Sequence, residues 1–382
     1  MIKTHPIRPA RIRRHLAHLT VIGAAGVFGL ALVAAMQAAG HVATDGGGLS
    51  GNYAAAVPAP AIAENVRLPG EAYDLAFDAV ANRLWLAIMQ RSGPDQLVAV
   101  TTDGLEQQTW LLPDADYGGF VSRVKVGDGG NVWVTQPYRL IRFDTKTETF
   151  TFTEFDREVP DAFANALDPG NPLPGTWISA IAPDGIGILV ARNNVPYLLE
   201  LDAQLKEVGR RPIPDEYAGA QDLALAADGT VWAISGPTAA RTVALLAANG
   251  DVVTTVGGGG IRLEAADGRV IALGVSNGSA ELAPDGTVNP GPAIGRSDES
   301  RVATYGTTTV IYDAGTATVS FFAGDELVGR LEFDEVSVEV PNPAGGVVIG
   351  RMRPRVNDVA TDGQGRGWYL DGNAHTLVRL SW

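Results

Sequence analysis

The stretch AQDLALAADGTVWAI, Ala220–Ile234, has an alternating apolar run, an Asp-Gly turn and a second apolar run that contains a tryptophan. Apolar runs of roughly four to eight residues on either side of such a turn predict two antiparallel β-strands joined as a hairpin. No segment after Ala39 shows the ~3.6-residue apolar period of an amphipathic helix. The stretch therefore predicts an all-β domain built from short strands.

Six other segments repeat this pattern along the chain. They begin at Tyr73, Val121, Trp177, Ile261, Ser300 and Val356. Two further short strands are predicted after most copies, such as RLIRFD and ETFTFTEF after the copy at Val121. Four strands in each repeat of roughly 40–55 residues is the pattern of a β-propeller. Residues 64–382 are therefore predicted to form a seven-bladed β-propeller of four-stranded blades.

The seventh copy supplies only three of the four strands that a blade needs. The segment ENVRLPG, Glu64–Gly70, resembles the fourth strands of the other copies but stands at the start of the domain. Pairing of this segment with the last blade would close the ring and remove an open sheet edge. We therefore predict that Glu64–Gly70 lies beside Thr376–Leu380.

The N-terminal part of the chain has a different composition. Residues 1–18 are basic, residues 19–39 are uncharged and mostly apolar, and residues 40–63 are rich in Gly and end in a Pro-containing segment. The apolar segment is long enough, as a helix, to cross a hydrocarbon core of roughly 30 Å. The cations before it predict a cytoplasmic N-terminus, one transmembrane signal-anchor helix, a flexible tether and an extracytoplasmic propeller at a bacterial plasma membrane. The alternative is secretion after signal-peptide cleavage, although signal peptides usually have apolar regions of only about 7–15 residues.

The composition excludes several classes of site and partner. The chain has no cysteine, so disulfides, thiolate metal sites and a cysteine nucleophile are excluded. The formal net charge is −14 even though residues 1–18 contribute five cations and no carboxylate. The propeller is therefore strongly acidic and would repel a phosphate backbone, so nucleic acid is not an expected partner.

The first strand of each propeller blade lines the central channel. We counted back ten or eleven residues from the apolar marker of the second strand, which is Trp85 in the first copy and Trp232 in the fourth. The residues found in this way are Asp74, Arg123, Ser179, Asp222 and Asp358. One interpretation is that the three carboxylates bind a divalent cation, calcium or magnesium, through oxygen ligands. The other is that they accept hydrogen bonds from neighbouring backbone N–H groups or pair with Arg123.

One face of a propeller carries both the links between blades and the loops between second and third strands. We call it the long-loop face. The two longest links, 156–176 and 334–355, emerge there, and long loops on a rigid scaffold commonly bind ligands. Aromatic and arginine side chains on this face suit a polar or anionic ligand. The candidate binding residues are Tyr117, Tyr138, Trp177, Arg192, Asn193, Tyr217, Arg241, Arg355 and His375.

Three segments carry a family resemblance: YDLAFDAVANRLWLA from Tyr73, GNVWVTQPYRLIRFDTKTETFTFTEF from Gly130 and LALAADGTVWAI from Leu223. They resemble the streptogramin lyase (virginiamycin B lyase-like) and NHL-type propellers, and the likeness covers most of residues 64–382. The resemblance implies the propeller fold. For the lyases it also implies a histidine base with acidic residues around magnesium in the central cavity, whereas His375 is the one histidine on a predicted blade.

Two functions are compatible with these patterns. The first is a non-enzymatic, membrane-anchored propeller that binds a protein, glycan or envelope ligand through the long-loop face. The second is a divalent-metal-dependent lyase or lactone hydrolase with its site in the central channel. The shortage of histidine and the presence of Arg123 among the channel carboxylates favour the first. The segment GVSNG at Gly274–Gly278 matches the G-x-S-x-G nucleophile motif, but a strand and not a helix is predicted after it, so we assign it no catalytic role.

Overall fold

The computed structural model describes residues 57, 59–90, 93–113, 121–155, 177–193, 195–226, 228–235, 241–257, 262–275, 278–293, 299–341, 347–352 and 355–382. These residues contain thirty β-strands and two 3₁₀ turns, Asp128–Gly130 and Asp215–Tyr217. The first fifteen strands are β1 (Ala61–Arg67), β2 (Glu71–Asp78), β3 (Arg83–Met89), β4 (Gln96–Thr101), β5 (Gln107–Leu111), β6 (Arg123–Gly127), β7 (Asn131–Gln136), β8 (Arg139–Asp144), β9 (Thr149–Glu154), β10 (Ile178–Asp184), β11 (Gly187–Arg192), β12 (Tyr197–Leu201), β13 (Glu207–Pro212), β14 (Asp222–Leu225) and β15 (Val231–Ser235). The other fifteen are β16 (Thr242–Leu246), β17 (Val252–Val256), β18 (Arg262–Ala266), β19 (Arg269–Val275), β20 (Gly278–Leu282), β21 (Val288–Ala293), β22 (Arg301–Tyr305), β23 (Thr308–Asp313), β24 (Thr318–Ala323), β25 (Glu326–Glu332), β26 (Val336–Pro341), β27 (Val347–Met352), β28 (Val356–Thr361), β29 (Arg366–Asp371) and β30 (Thr376–Ser381).

Seven antiparallel four-stranded sheets form the blades of a β-propeller. Blades one to six are β2–β5, β6–β9, β10–β13, β14–β17, β18–β21 and β22–β25, and blade seven has the order β28, β29, β30, β1. The first strand of each blade contacts the first strands of its two neighbours, including β2 against β28, so the ring is complete. The predicted seven-bladed propeller of four-stranded blades is therefore confirmed.

Blade seven is closed by β1, the first strand of the domain. β1 pairs antiparallel with β30, and its register runs from Ala61 opposite Ser381 to Arg67 opposite Thr376. The predicted closure by Glu64–Gly70 is confirmed, although the strand begins three residues earlier than the predicted tether boundary, at Ala61.

The predicted membrane anchor lies in a part of the chain that the structure does not describe. The predicted helix at 19–39 and most of the predicted tether at 40–63 lie outside the described residues. Among the described ranges no helix has the length and apolar character needed to cross a bilayer.

The link between blades six and seven contains a small sheet of its own. β26 and β27 pair antiparallel, with Val336 opposite Met352 and Pro341 opposite Val347. The sequence predicted 334–355 as a long link between blades, and the structure adds that a β-hairpin lies within this link. The alternating valines of VSVEVP and the run VVIGRM around a Pro- and Gly-containing turn are typical of a β-hairpin.

The core lies between adjacent blades. Four of the second-strand markers, Trp85, Trp133, Trp232 and Trp368, are almost completely buried. Trp85 packs on Phe143 of the next blade at a ring-centroid distance of 5.6 Å. The structure thus places these tryptophans in inter-blade packing, where a single aromatic side chain buries a large apolar area.

Candidate functional site

Charged residues of the first strands meet at the propeller axis. In the pairing register Asp222 lies opposite Ile234, two residues beyond the marker Trp232, and Arg262 lies opposite Leu273, two residues beyond the marker Ile271. The same position in other blades also holds charged residues. We call the set Asp74, Arg123, Asp222, Arg262, Arg301 and Asp358 the channel cluster.

Each channel carboxylate accepts a hydrogen bond from the backbone of the following blade. Asp358 accepts from the N–H of Leu75 at 2.8 Å, and Asp74 accepts from the N–H of Val124 at 2.7 Å. Asp222 accepts from the N–H of Leu263 at 2.9 Å. The carboxylates therefore join neighbouring first strands, as the second interpretation of the sequence predicted.

Arg262 occupies the space between the three carboxylates. Its guanidinium lies 2.5 Å from a carboxylate oxygen of Asp74, 3.8 Å from Asp222 and 3.9 Å from Asp358. Arg123 lies 3.6 Å from Asp222 and donates to the carbonyl of Gln221 at 3.1 Å. The predicted pairing with Arg123 thus holds for Asp222, but the central cation of the cluster is Arg262.

Sequence reasoning missed Arg262 and Arg301 although a signal was present. Each stands nine residues before the second-strand marker of its copy, Ile271 or Val310. These two copies have no tryptophan marker, and the spacing is shorter than the ten or eleven residues used in the other blades.

Burial and neighbouring charges shift the pKa values of Asp74 and Asp358 in opposite directions. Burial opposes ionisation of Asp74, but the positive charges of Arg262, Lys125 and Arg123 outweigh it and hold its pKa below the usual value. Burial, followed by repulsion from Asp74, raises the pKa of Asp358 to about 7. The same carboxylates raise the pKa of Arg262 despite its burial, so this guanidinium stays charged.

A second charged layer lies next to the channel cluster. Lys125 and Glu264 stand opposite the markers Trp133 and Ile271, and their side chains pair across the axis at 2.6 Å. The equivalent residues of the other five blades are alanines: Ala76, Ala182, Ala224, Ala303 and Ala360. The small alanines leave room for the two long side chains to meet. Beyond this pair the channel widens into a cavity of about 830 Å³ on the face opposite the long-loop face.

The channel residues do not fit a divalent cation. Three carboxylates could neutralise such an ion, but the guanidinium of Arg262 already lies within 3.9 Å of all three and would repel it. Within the described ranges no group of three or more His, Cys, Asp or Glu is arranged to hold a metal. Calcium or magnesium binding by Asp74, Asp222 and Asp358 stays a prediction.

Four predicted binding residues come together on the long-loop face where blades two and three meet. The N–H of Asn193 donates to the carbonyl of Trp177 at 2.8 Å. The guanidinium of Arg192 lies over the ring of Phe155, 4.8 Å from its centroid, and the N–H of Phe155 donates to the carbonyl of Tyr138 at 2.8 Å. Tyr138, Trp177, Arg192 and Asn193 are all half-buried and flank the link 156–176, which lies outside the described residues.

The other predicted residues are scattered. Arg355 is exposed and pairs with Glu71 at 3.4 Å, and His375 lies in the turn between β29 and β30 with its Nδ1 buried. Arg241 is half-buried at the start of β16, and Tyr117 lies outside the described residues.

Two positions need correction. Tyr217 is only 4% exposed, because the 3₁₀ turn Asp215–Tyr217 directs its ring into the core beside Ile213 and Ala220. Ser179 lies in a β-bulge, so the position equivalent to Asp222 in blade three is Ala180.

The raised pKa of Asp358 predicts how stability depends on pH. Between about pH 4, where an unfolded Asp titrates, and about pH 7, the folded state holds a proton that the unfolded state has lost. The free energy of unfolding should therefore fall as pH rises through this window, by up to about 1 kcal/mol per pH unit. Urea denaturation at a series of pH values measures this slope.

The contribution of Asp358 has to be separated from that of other groups. Burial also raises the pKa of Asp95 and Asp371. These two carboxyl groups therefore also lower the free energy of unfolding as the pH rises. Asp358→Asn keeps an acceptor for the N–H of Leu75 but cannot titrate. The free energy of unfolding of this variant should therefore fall less steeply with rising pH than that of the natural protein. If the free energy of unfolding changes with pH by the same amount in the two proteins, Asp358 does not titrate in this window.

Neither a protein-family model nor a curated protein matches the chain. Several solved structures match the chain. Virginiamycin B lyase from Staphylococcus aureus matches with a TM-score of 0.56 at 12% identity, covering 84% of this chain and 98% of that one. The WD40 domain of Neurospora crassa Pan2 matches with a TM-score of 0.55 at 11% identity, covering 83% of this chain and 93% of that domain. A chain of the mitotic checkpoint complex matches with a TM-score of 0.56 at 10% identity, covering 90% of this chain and 98% of that chain.

Identities this low establish the fold alone, and the resemblance noted in the sequence is confirmed at that level. The protein is a seven-bladed β-propeller whose structural neighbours include the virginiamycin B lyases.

Proposed function

We propose that the protein is a non-enzymatic binding or scaffold module that recognises a protein, glycan or envelope ligand through its long-loop face. In this proposal residues 19–39 anchor it in the plasma membrane and the propeller is extracytoplasmic. The observation that carries the proposal is the β26–β27 hairpin, a two-stranded sheet in the link between blades six and seven, which emerges on that face. A regular element inserted between blades presents a defined surface, which suits recognition.

The half-buried residues around Trp177 and Arg192 also support ligand binding on the long-loop face. An arginine held over an aromatic ring, as Arg192 is over Phe155, loses little further side-chain entropy when a ligand binds. Aromatic residues and arginine are also the types that contribute most to protein interfaces.

The two ends of β1 lie towards opposite faces of the propeller. Ala61 pairs with Ser381, whereas Arg67, at the other end of β1, pairs with Thr376 beside the turn that holds His375. That turn emerges on the long-loop face. The first residue of β1, Ala61, therefore lies towards the opposite face.

The structure of the channel supports a scaffold more than an enzyme. A carboxyl with a pKa near 7, such as Asp358, can mark a catalytic acid or base, but structural ion-pair networks shift pKa values as well. Here the carboxylates bond the backbone of neighbouring blades and surround Arg262. The metal-dependent lyase or lactone hydrolase finds support only in its lyase neighbours, at 11–12% identity. The neighbour from the mitotic checkpoint complex is a propeller in a protein assembly, which fits a protein ligand.

Removal of the hairpin tests the proposal. Replacing residues 336–352 by a short Gly-Ser linker should reduce the recovery of proteins crosslinked to the full-length chain in cells by about tenfold or more, as expected when interface anchor residues are lost. Thermal unfolding of the purified variant should remain cooperative, because the hairpin belongs to none of the seven blades.

The control replaces the turn residues 284–286 on the opposite face by the same linker. Recovery of the crosslinked proteins should stay unchanged in that variant. If the hairpin variant captures the same partners as the natural protein, recognition of those partners through the hairpin is refuted, and the proposal loses the observation that carries it.

A further inference from the structure

A pocket of about 410 Å³ lies on the face opposite the long-loop face, where blades seven and one meet. The turns between first and second strands emerge on this face, so we call it the turn face and the depression the turn-face pocket. Its lining includes Phe77, Asn82, Asp103, Tyr305, Gln364 and Arg366. This volume is of the order found for small-molecule sites, roughly 300–1,000 Å³.

Two aromatic side chains form one wall of the turn-face pocket. The rings of Phe77 and Tyr305 meet edge to face, with their centroids 5.3 Å apart and an interplanar angle of 86°. Phe77 also lies nearly parallel to the ring of the buried Trp368, at a centroid distance of 6.3 Å and an angle of 18°. Both pocket rings are half-buried, so packing fixes their orientation while part of each surface stays accessible.

Planar polar groups are held in fixed positions beside the rings. The Nε of Arg366 donates to Asp362 at 2.5 Å, and its Nη1 donates to Asp103. The side-chain amide of Asn82 donates to the other oxygen of Asp103 at 3.3 Å. The side chain of Asp103 is 76% exposed, so this carboxylate can accept further hydrogen bonds from a ligand. A guanidinium, a carboxylate and an amide are thus ordered around one aromatic wall.

We infer that the turn-face pocket binds a neutral saccharide. A sugar ring has a C–H face that packs on an aromatic ring, and its adjacent hydroxyl groups form paired hydrogen bonds with planar groups such as guanidinium, carboxylate and amide. Asp103 and Asp362 outnumber the single cation Arg366, which disfavours an anionic ligand. This site lies on the opposite side of the propeller from the long-loop face and does not depend on the function proposed for that face.

Titration of the full-length chain with defined tetrasaccharides tests the inference. The chain is purified in a detergent without a sugar headgroup, and the probes are cellotetraose, maltotetraose and chitotetraose. We expect saturation-transfer NMR to detect contact with the C–H protons of at least one probe, with a dissociation constant of about 1 mM or lower. No transfer to any of the three up to about 10 mM would overturn the inference.

Variants at exposed positions separate this pocket from binding elsewhere on the chain. Asn82→Gly, which tolerates the φ of 52° at this position, and Gln364→Ala should each weaken binding by about threefold to tenfold, the effect of one lost hydrogen bond. Asn249→Ala is the matched control, since Asn249 is exposed in a turn on the same face of blade four. Tyr305→Phe keeps the aromatic wall and should retain binding. Equal affinities of Asn82→Gly, Gln364→Ala and the natural chain would place the saccharide outside the turn-face pocket and refute the inference.

Discussion

Replacement of Arg262 by methionine is expected to lower the free energy of unfolding by about 3–5 kcal/mol, the range measured when one partner of a buried ion pair is removed. The guanidinium of Arg262 lies 2.5–3.9 Å from carboxylate oxygens of Asp74, Asp222 and Asp358, all three of which are buried. Methionine keeps the packing of the arginine stem as far as Nε, so the effect comes mainly from loss of the guanidinium with its charge and hydrogen bond. Urea denaturation at pH 7 measures the difference.

Two further measurements show whether charge is the cause. Arg210→Met removes an arginine that pairs with Glu207 at 2.6 Å on the exposed surface, and such pairs contribute little to stability. Acidification should reduce the difference in the free energy of unfolding between Arg262→Met and the natural protein, because protonation of the channel carboxylates relieves their mutual repulsion. If Arg262→Met and Arg210→Met unfold at the same urea concentration, Arg262 does not hold the channel cluster together.

The fold could be predicted because its information is local and repeated. Each copy carries its own alternation and its own turn residues, as in LALAADGTVWAI, so one weak copy does not change the interpretation of the others. The closing strand was found for a different reason: three strands in the last copy left one position open, and ENVRLPG matched it. The long-range pairing of β1 with β30 was therefore predictable only because the repeat showed that the last blade lacked a fourth strand.

The channel was predicted in part. The count from the second-strand marker reached Asp74, Arg123, Asp222 and Asp358, because the inward-facing position is set by strand pairing. A β-bulge in blade three moved the equivalent position from Ser179 to Ala180. Asp74 and Asp358 also lie in bulges and were reached, whereas Arg262 and Arg301 lie in strand pairs without a bulge that are joined by turns of two residues. A fixed count is therefore sensitive to the bulge and to the turn length together.

Contacts across the axis could not be predicted from any single copy. Lys125 meets Glu264 because five of the seven equivalent positions are alanine, a property of the whole ring. Tyr217 was placed on the surface for a related reason. Its position after Pro214 in a polar segment is typical of a loop, whereas its burial depends on space that neighbouring strands leave.

Deletion of β1 is expected to destabilise the propeller more than any other change considered for this domain. A chain that begins at Glu71 lacks the fourth strand of blade seven and exposes the edge of β30 along its whole length. It also loses Leu68, which is buried in the core between blades seven and one. Loss of one buried leucine side chain costs about 2–5 kcal/mol, so removal of the whole strand should exceed about 5 kcal/mol. Thermal unfolding of residues 71–382 should show a much lower midpoint and a tendency to aggregate through the open edge.

The matched control is a chain that begins at residue 57, which lacks the N-terminal segments but keeps β1. It should unfold at nearly the same temperature as the full-length protein. The comparison also tests which contacts close the ring, because the shorter chain keeps both Asp358 of blade seven and Leu75 of blade one, whose backbone N–H donates to that carboxylate in the structure. If chains starting at 57 and at 71 are equally stable, that first-strand contact and the packing between blades close the ring by themselves. If only the longer chain is stable, closure depends on the pairing of β1 with β30, because the first-strand hydrogen bond cannot substitute for a complete fourth strand.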